Sequence, residues 1–280
     1  KITDEQYADS FAAMKRLLEI DLTLEDSITK AFQIIREEIF IPYVIMDIPV
    51  KTPIYRARAN KNCSYSFKSE ISYNNKASTI NKLGRANYYH QSTFYGSFKA
   101  ETAIFETSVN TKDEIKYSQE FITIGRWIVV KPLKVFAIVN DPDFLDRNSE
   151  MAKAWQRLSS KYPDLETPWV QKHLKFISDQ FAKEVAKGND HLYKLSSAFF
   201  TRMMQTGIPQ EVGGVVYPSV ENEKRDLNIA LLPEFVDEYL VLDSIYEYSI
   251  TIDENSGTLM PSSVGDVQSF RMTPINQNQI

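Results

Sequence analysis

The 280-residue chain is 43% hydrophobic, enough for a sizeable core, and this excludes a largely disordered protein. Its 32 basic and 37 acidic residues leave a formal charge of -5, so no global field draws it to nucleic acid or an anionic membrane, and a small partner is expected. The single cysteine, Cys63, excludes an internal disulfide and a cysteine-only metal site and fits a reducing compartment.

The chain opens with two helical patterns. Tyr7, Phe11, Met14 and Leu18 recur at helical spacing, and Ile28, Phe32, Ile35 and Ile39 do so again, with Thr23 or Asp26 to cap the second. Ile41-Pro42 breaks the pattern, so residues 1–50 are expected to form an N-terminal helical segment packed on the rest. Lys1-Ile2-Thr3-Asp4-Glu5 lacks the basic-then-apolar plan of a secretory leader, and no run approaches the ~18 apolar residues of a membrane span. The cytoplasm is the expected location, and a start at Lys1 rather than Met is expected to leave some native residues out.

From Pro53 the composition shifts to short β-type runs: Ile54–Arg58, Ser92–Tyr95, Trp127–Val130 and Val135–Val139. Between the second and third, Lys99 to Thr107 reads as a short helix capped by Ser97, so Tyr95 ends a strand and Glu106 sits about two turns into the helix. Residues 141–207 look helical, with Leu174, Ile177, Phe181 and Val185 on one face, Gly188 as a stop, and a second helix from about Leu192 to Gln205 ending at Gly207. Strands resume at Gly214–Tyr217, Leu227–Leu232 and Leu240–Ile250. From about Asn255 the Ser, Gly, Asn and Gln content predicts a loosely held tail over residues 255–280. This gives an α+β fold: a mixed central sheet in a main domain over residues 51–254, with the helical segment before it and a helical insertion at about 141–207.

Four separated fragments carry polar residues in structural settings. Arg56 offers a planar fork suited to a phosphate oxygen pair, though a strand arginine is ordinarily an edge residue or an ion-pair partner, and Arg58 competes for the role. Gly84-Arg85-Ala86-Asn87 reads either as a turn with a capping asparagine or as a second cation and an amide beside a nucleotide. Tyr95 and Glu106 read as core and solvent-facing residues or as a pair at a site. Glu101, about 500° of helical rotation from Glu106, shares no face with it and is explained by the helix dipole. Ser219 follows Tyr217-Pro218, where the proline ends a buried strand, so it either caps a turn or stands at the rim of the sheet. His90, His173 and His191 show no i,i+4 pair, so no metal is expected; GxGxxG and GxxxxGK[ST] are both lacking.

The order and spacing of Tyr55-Arg56, Gly84-Arg85-Ala86-Asn87, Tyr95 with Glu101-Thr102-Ala103 and Glu106, and Tyr217-Pro218-Ser219 with Asn228 resemble the RES domain, a bacterial family related in outline to ADP-ribosyltransferases. In place of the prolines and glycine usual after the family's Gly-Arg-x-Asn, this chain has Tyr88-Tyr89-His90-Gln91. The resemblance covers residues 54 to 232 and leaves out residues 1 to 50. It implies an ADP-ribosyltransferase-like sheet and NAD as substrate, with no metal. Glu106, Arg56, Tyr95 and Ser219 are then the catalytic set, and Arg56, Arg85, Asn87, Tyr95 and Ser219 hold the dinucleotide. It also implies a toxin of a toxin–antitoxin or defence system with a cognate antitoxin; the N-terminal helices are a candidate docking surface for it or a homo-oligomer contact. Water as acceptor gives a glycohydrolase, phosphate a phosphorylase, and a protein side chain an ADP-ribosyltransferase. A nonenzymatic nucleotide-sensing scaffold is the reading from another class. A glycoside hydrolase is weaker, because no second acid accompanies Glu106.

Overall fold

The computed structural model describes residues 3–60, 65, 67–107, 119–138, 150–186, 188–205, 211–220, 226–252 and 259–267; Cys63, Val139 and Gly207 lie outside them. Helices α1 (Asp4–Leu18) and α2 (Ser27–Glu37) lead into β1 (Ile45–Ile48), β2 (Pro53–Ala59), β3 (Phe94–Ser97), α3 (Ala100–Thr107), β4 (Gln119–Val129) and β5 (Leu133–Ala137). Then come α4 (Glu150–Lys161), α5 (Pro168–Phe181), α6 (Lys194–Met204), β6 (Val212–Pro218), β7 (Leu227–Leu231), α7 (Pro233–Tyr239), β8 (Leu240–Ile252) and β9 (Leu259–Val267). The fold is α+β, as expected.

The strands form one mixed sheet in the order β1-β5-β6-β7-β3-β2-β4-β8-β9. β5 and β6 pair in parallel, which requires a long crossover, and α4, α5 and α6 supply it. The other pairs are antiparallel. Alternation along the strands sends side chains into two large cores and a smaller one of Ile104, Ile122 and Ile124. Ile54, Phe94, Trp127, Val216 and Ile229 pack with Trp155 and Leu158 of α4, whereas Val215, Tyr217 and Ala230 pack with Met14, Ile35, Phe181 and Phe199 from α1, α2, α5 and α6.

Several boundaries differ from the sequence reading. β1 falls inside the segment expected to be helical and pairs with β5, so residues 45–48 belong to the sheet; four residues are too few for a periodic signal. Part of the expected loose tail, Leu259–Val267, is an edge strand on β8, where backbone pairing outweighs a weak side-chain pattern. The apolar face of α1 is rotated: Ser10, Ala13, Met14 and Leu17 are buried and Leu18 is 60% exposed, because small residues at 10 and 13 let the helix approach closely. The cap of α1 is Thr3, whose side chain accepts from the Gln6 N–H. Asp26 holds the N-cap position of α2 without a capping bond. Gly188, at φ 89°, lies beyond α5, which stops at Phe181.

Between β2 and β3 only Tyr55 and Ser97 face each other in register, while β2 pairs with β4 along its whole length. The strands therefore part after one residue, leaving a seam in the middle of the sheet.

Candidate active site

Glu106 lies at the end of α3, and its Oε1 accepts two hydrogen bonds, from Ser219 Oγ at 2.8 Å and Asn228 Nδ2 at 2.7 Å. Both donors come from the centre of the sheet. Ser219 follows the proline that ends β6 and is fully buried, with its N–H donating to the Asp226 carbonyl. Asn228 stands in β7 between Tyr217 of β6 and Ser97 of β3. Its Oδ1 accepts from Ser97 Oγ at 2.5 Å. A carboxylate accepts and never donates, so this network presents its amide and hydroxyl donors to an anion. Glu106 and Ser219 thus meet in the structure, and Ser97, expected as the cap of α3, is a strand residue bonded to Asn228.

The start of α3 is clamped separately. Buried Asp226 accepts from Lys99 Nζ and Thr102 Oγ1, both at 2.6 Å. Glu101 is exposed in the first turn, where helix-dipole placement suffices.

A small cleft of about 50 Å³ opens beside Glu106, lined by Tyr55, Ala57, Tyr95, Gly96, Ser97, Ala103, Thr107, Tyr217 and Asn228 as well. It is far below the ~300–1,000 Å³ of ordinary ligand pockets, so it takes part of a substrate and not a whole dinucleotide. A larger cavity, about 420 Å³, belongs to the Trp127 core; Ile48, Phe98, Leu158 and Leu227 are among its walls, and no predicted site residue is.

The remaining predicted residues take other places. Tyr95 lies inside β3, not at its end, and lines the cleft. Its hydroxyl accepts from the Ala86 N–H at 2.9 Å and donates to Asn87 Oδ1 at 2.7 Å. Burial pushes the phenol far above its usual range. Asn87 turns its amide to the carbonyls of Lys82 and Tyr88, so it fastens its own loop to Tyr95. Gly84 permits that closure, since a Cβ there would sit 2.3 Å from Asn87 Oδ1. Arg85 reaches away: its Nη1 donates to the carbonyls of Phe181 at 2.8 Å and Lys183 at 2.6 Å, at the C-terminal end of α5. Its guanidinium also lies 5.1 Å from the Tyr193 ring. Arg85 and Asn87 thus bond to backbone carbonyls and, for Asn87, to Tyr95, and neither lines the cleft.

Arg56 alternates with Tyr55 and Ala57, so it leaves β2 on the opposite face and is not among the residues lining the cleft. Its Nη1 enters the seam and donates to the Tyr95 carbonyl at 2.6 Å, the guanidinium lies 5.2 Å from the Phe94 ring, and its buried Nε has no hydrogen-bond partner. Burial and the neighbouring Arg58 cation push its pKa down to about 9, which leaves it charged at neutral pH. Arg58 is held by the Ser72 carbonyl.

Sequence reasoning left Tyr55, Ser97, Thr107, Tyr217 and Asn228 out of the site. Alternation around Arg56 carried the signal for Tyr55, and one amide in the apolar run Leu227-Asn228-Ile229-Ala230-Leu231 carried the signal for Asn228.

A carboxylate seated on two donors thus lines a tyrosine-walled cleft at the split centre of a mixed sheet. The model of the RES domain matches residues 53–251, and the chain belongs to that family. At family level this suggests a toxin-like, NAD-related enzymatic function. Comparison with curated protein sequences finds no match. Among the described residues no helix is long and apolar enough to cross a membrane, and no cluster of His, Cys, Asp and Glu could hold a metal ion.

Proposed function

We propose that the chain consumes NAD by breaking the bond between nicotinamide and ribose, with water or inorganic phosphate as acceptor. The observation that carries this reading is the Glu106 carboxylate fixed by Ser219 and Asn228 at the cleft. Nicotinamide departs neutral, so the reaction needs no general acid; it needs negative charge beside the ribosyl cation that develops. Glu106 supplies that charge and an acceptor for a ribose hydroxyl. Tyr55, Tyr95 and Tyr217 wall the space against the sugar and the nicotinamide. The small cleft receives the ribose edge that reacts. Arg56 does not line the cleft, and its part in the proposal is the positive charge it brings to the seam for the dinucleotide phosphates. Arg85 is left out of the proposal because its fork serves α5. A place in a toxin–antitoxin pair, with an antitoxin that blocks the cleft, belongs to the same proposal.

The test is product analysis after incubating purified protein with NAD, with and without phosphate. ADP-ribose in both conditions identifies a glycohydrolase, and ADP-ribose-1″-phosphate formed only with phosphate identifies a phosphorylase. Glu106→Gln is expected to suppress either product. Unchanged NAD in both conditions would reject the reading.

A further inference from the structure

Asn228 differs from every other polar residue around Glu106 in how firmly its direction is set. Its backbone is paired on both sides, to Tyr217 and to Ser97, in a fully buried strand. A buried amide in an apolar strand is costly unless both of its ends are satisfied. Here the nitrogen end meets Glu106 Oε1 and the oxygen end meets the Ser97 hydroxyl. Turning the amide over would set its oxygen against the carboxylate oxygen, so the orientation has one sense. Ser219 also donates to Oε1, but a hydroxyl rotates to suit its neighbours and fixes no direction. Glu106 itself is next to the last residue of α3, where helix backbone alone restrains a side chain poorly.

We propose that Asn228 is the positioning residue of this site: its amide, oriented by Ser97, sets the direction in which Glu106 presents its carboxylate to the reacting sugar. Asn228 acts through Glu106, and Ser97 acts through Asn228. The proposal rests on the NAD-cleaving reading above. A site on paired strands holds such geometry better than one on loops, which is why the tether comes from β7.

The experiment follows NAD turnover against pH for the wild-type chain, Asn228→Asp, Ser97→Ala and Ser97→Thr, with the melting temperature of each. Asn228→Asp places a second carboxylate against Glu106, so the two must share a proton, and the acid limb of kcat/KM is expected to move to higher pH by about one unit or more. The other ionisable groups among the described residues that line the cleft are the phenols of Tyr55, Tyr95 and Tyr217, and Asp226 at the start of α3 keeps its bonds to Lys99 and Thr102 in every variant. Ser97→Ala is expected to lower kcat about tenfold with KM within about twofold, and Ser97→Thr, which keeps the hydroxyl, to restore it. If Asn228→Asp does not fold, the serine pair decides the matter. An active wild type whose folded variants keep its kcat and acid limb sinks this proposal alone. An inactive wild type sinks it together with the reading of function.

Discussion

Two buried polar networks tie distant parts of this chain together, and they differ in where they end. At one, His173 is fully buried between α1 and α5. Its Nδ1 faces the Trp169 carbonyl at 2.8 Å, so that nitrogen carries the proton, and Nε2 accepts from Ser10 Oγ, also at 2.8 Å. The Ser10 oxygen in turn accepts from the Phe40 N–H at 2.7 Å. Tyr7, Phe40 and Trp169 surround the group, and each of its bonds ends on a protein atom. At the other, Ser97 donates to Asn228, and Asn228 and Ser219 each donate to a carboxylate that lines a cleft. A serine beside a histidine would draw attention in a list of reactive residue types. Here it is a structural bolt, whereas an unremarkable glutamate, held by buried donors, lines a cleft. Access to a substrate, more than the residue types involved, separates the two.

Substitutions should pull these networks apart in opposite ways. Glu106→Gln can keep both bonds accepted at Oε1 while replacing the charge and the second oxygen with an amide; it is expected to reduce NAD turnover by about 10²- to 10³-fold, with the melting temperature little changed, as a kinetic assay and a thermal melt on one preparation will show. His173→Phe should do the reverse. It leaves the buried Ser10 O–H without its acceptor and removes the extra bond to the Trp169 carbonyl, so urea denaturation should report a loss of about 1–3 kcal/mol while turnover per folded molecule holds. Gly84→Ala lies between, since the new Cβ forces apart Asn87 and Tyr95 beside the cleft; a loss of about 1–3 kcal/mol is expected, with weaker turnover.

The smallest effect is one of acidity. Burial pushes the His173 pKa below the usual ~6.5, so the unfolded chain takes up the proton first as pH falls. The stability this residue contributes is present above about pH 6.5 and is lost progressively below it, towards the folded value. Wild-type stability measured between pH 8 and pH 5 should decline across that window, and His173→Phe should flatten the decline.

The local elements were largely legible in the sequence. The β-type runs at Ile54–Arg58 and Gly214–Tyr217, the helix carrying Glu106, and the proline before Ser219 are all short-range signals, and each was read close to its true place. What lay hidden was set by pairing across the sheet. β1 and β9 show little pattern of their own and exist through their neighbours β5 and β8. Arg85 looked like a nucleotide cation because its partners, the carbonyls at the end of α5, lie 96 and 98 residues away. The side of the sheet taken by Arg56 could have been read, since a period of two sends neighbours to opposite faces and Tyr55 cannot share a face with it. The seam into which Arg56 bends could not, because the parting of β2 from β3 depends on what each strand pairs with on its other edge.

The placement of β7 between β6 and β3 also sets a schedule. Glu106 leaves the ribosome 113 residues before Ser219 and 122 before Asn228, and β3 gains its β7 neighbour only once residue 231 has been made. A nascent chain that stops short of that point carries the acid but none of the strand that aims it. Translation therefore delivers the carboxylate early and completes its setting late.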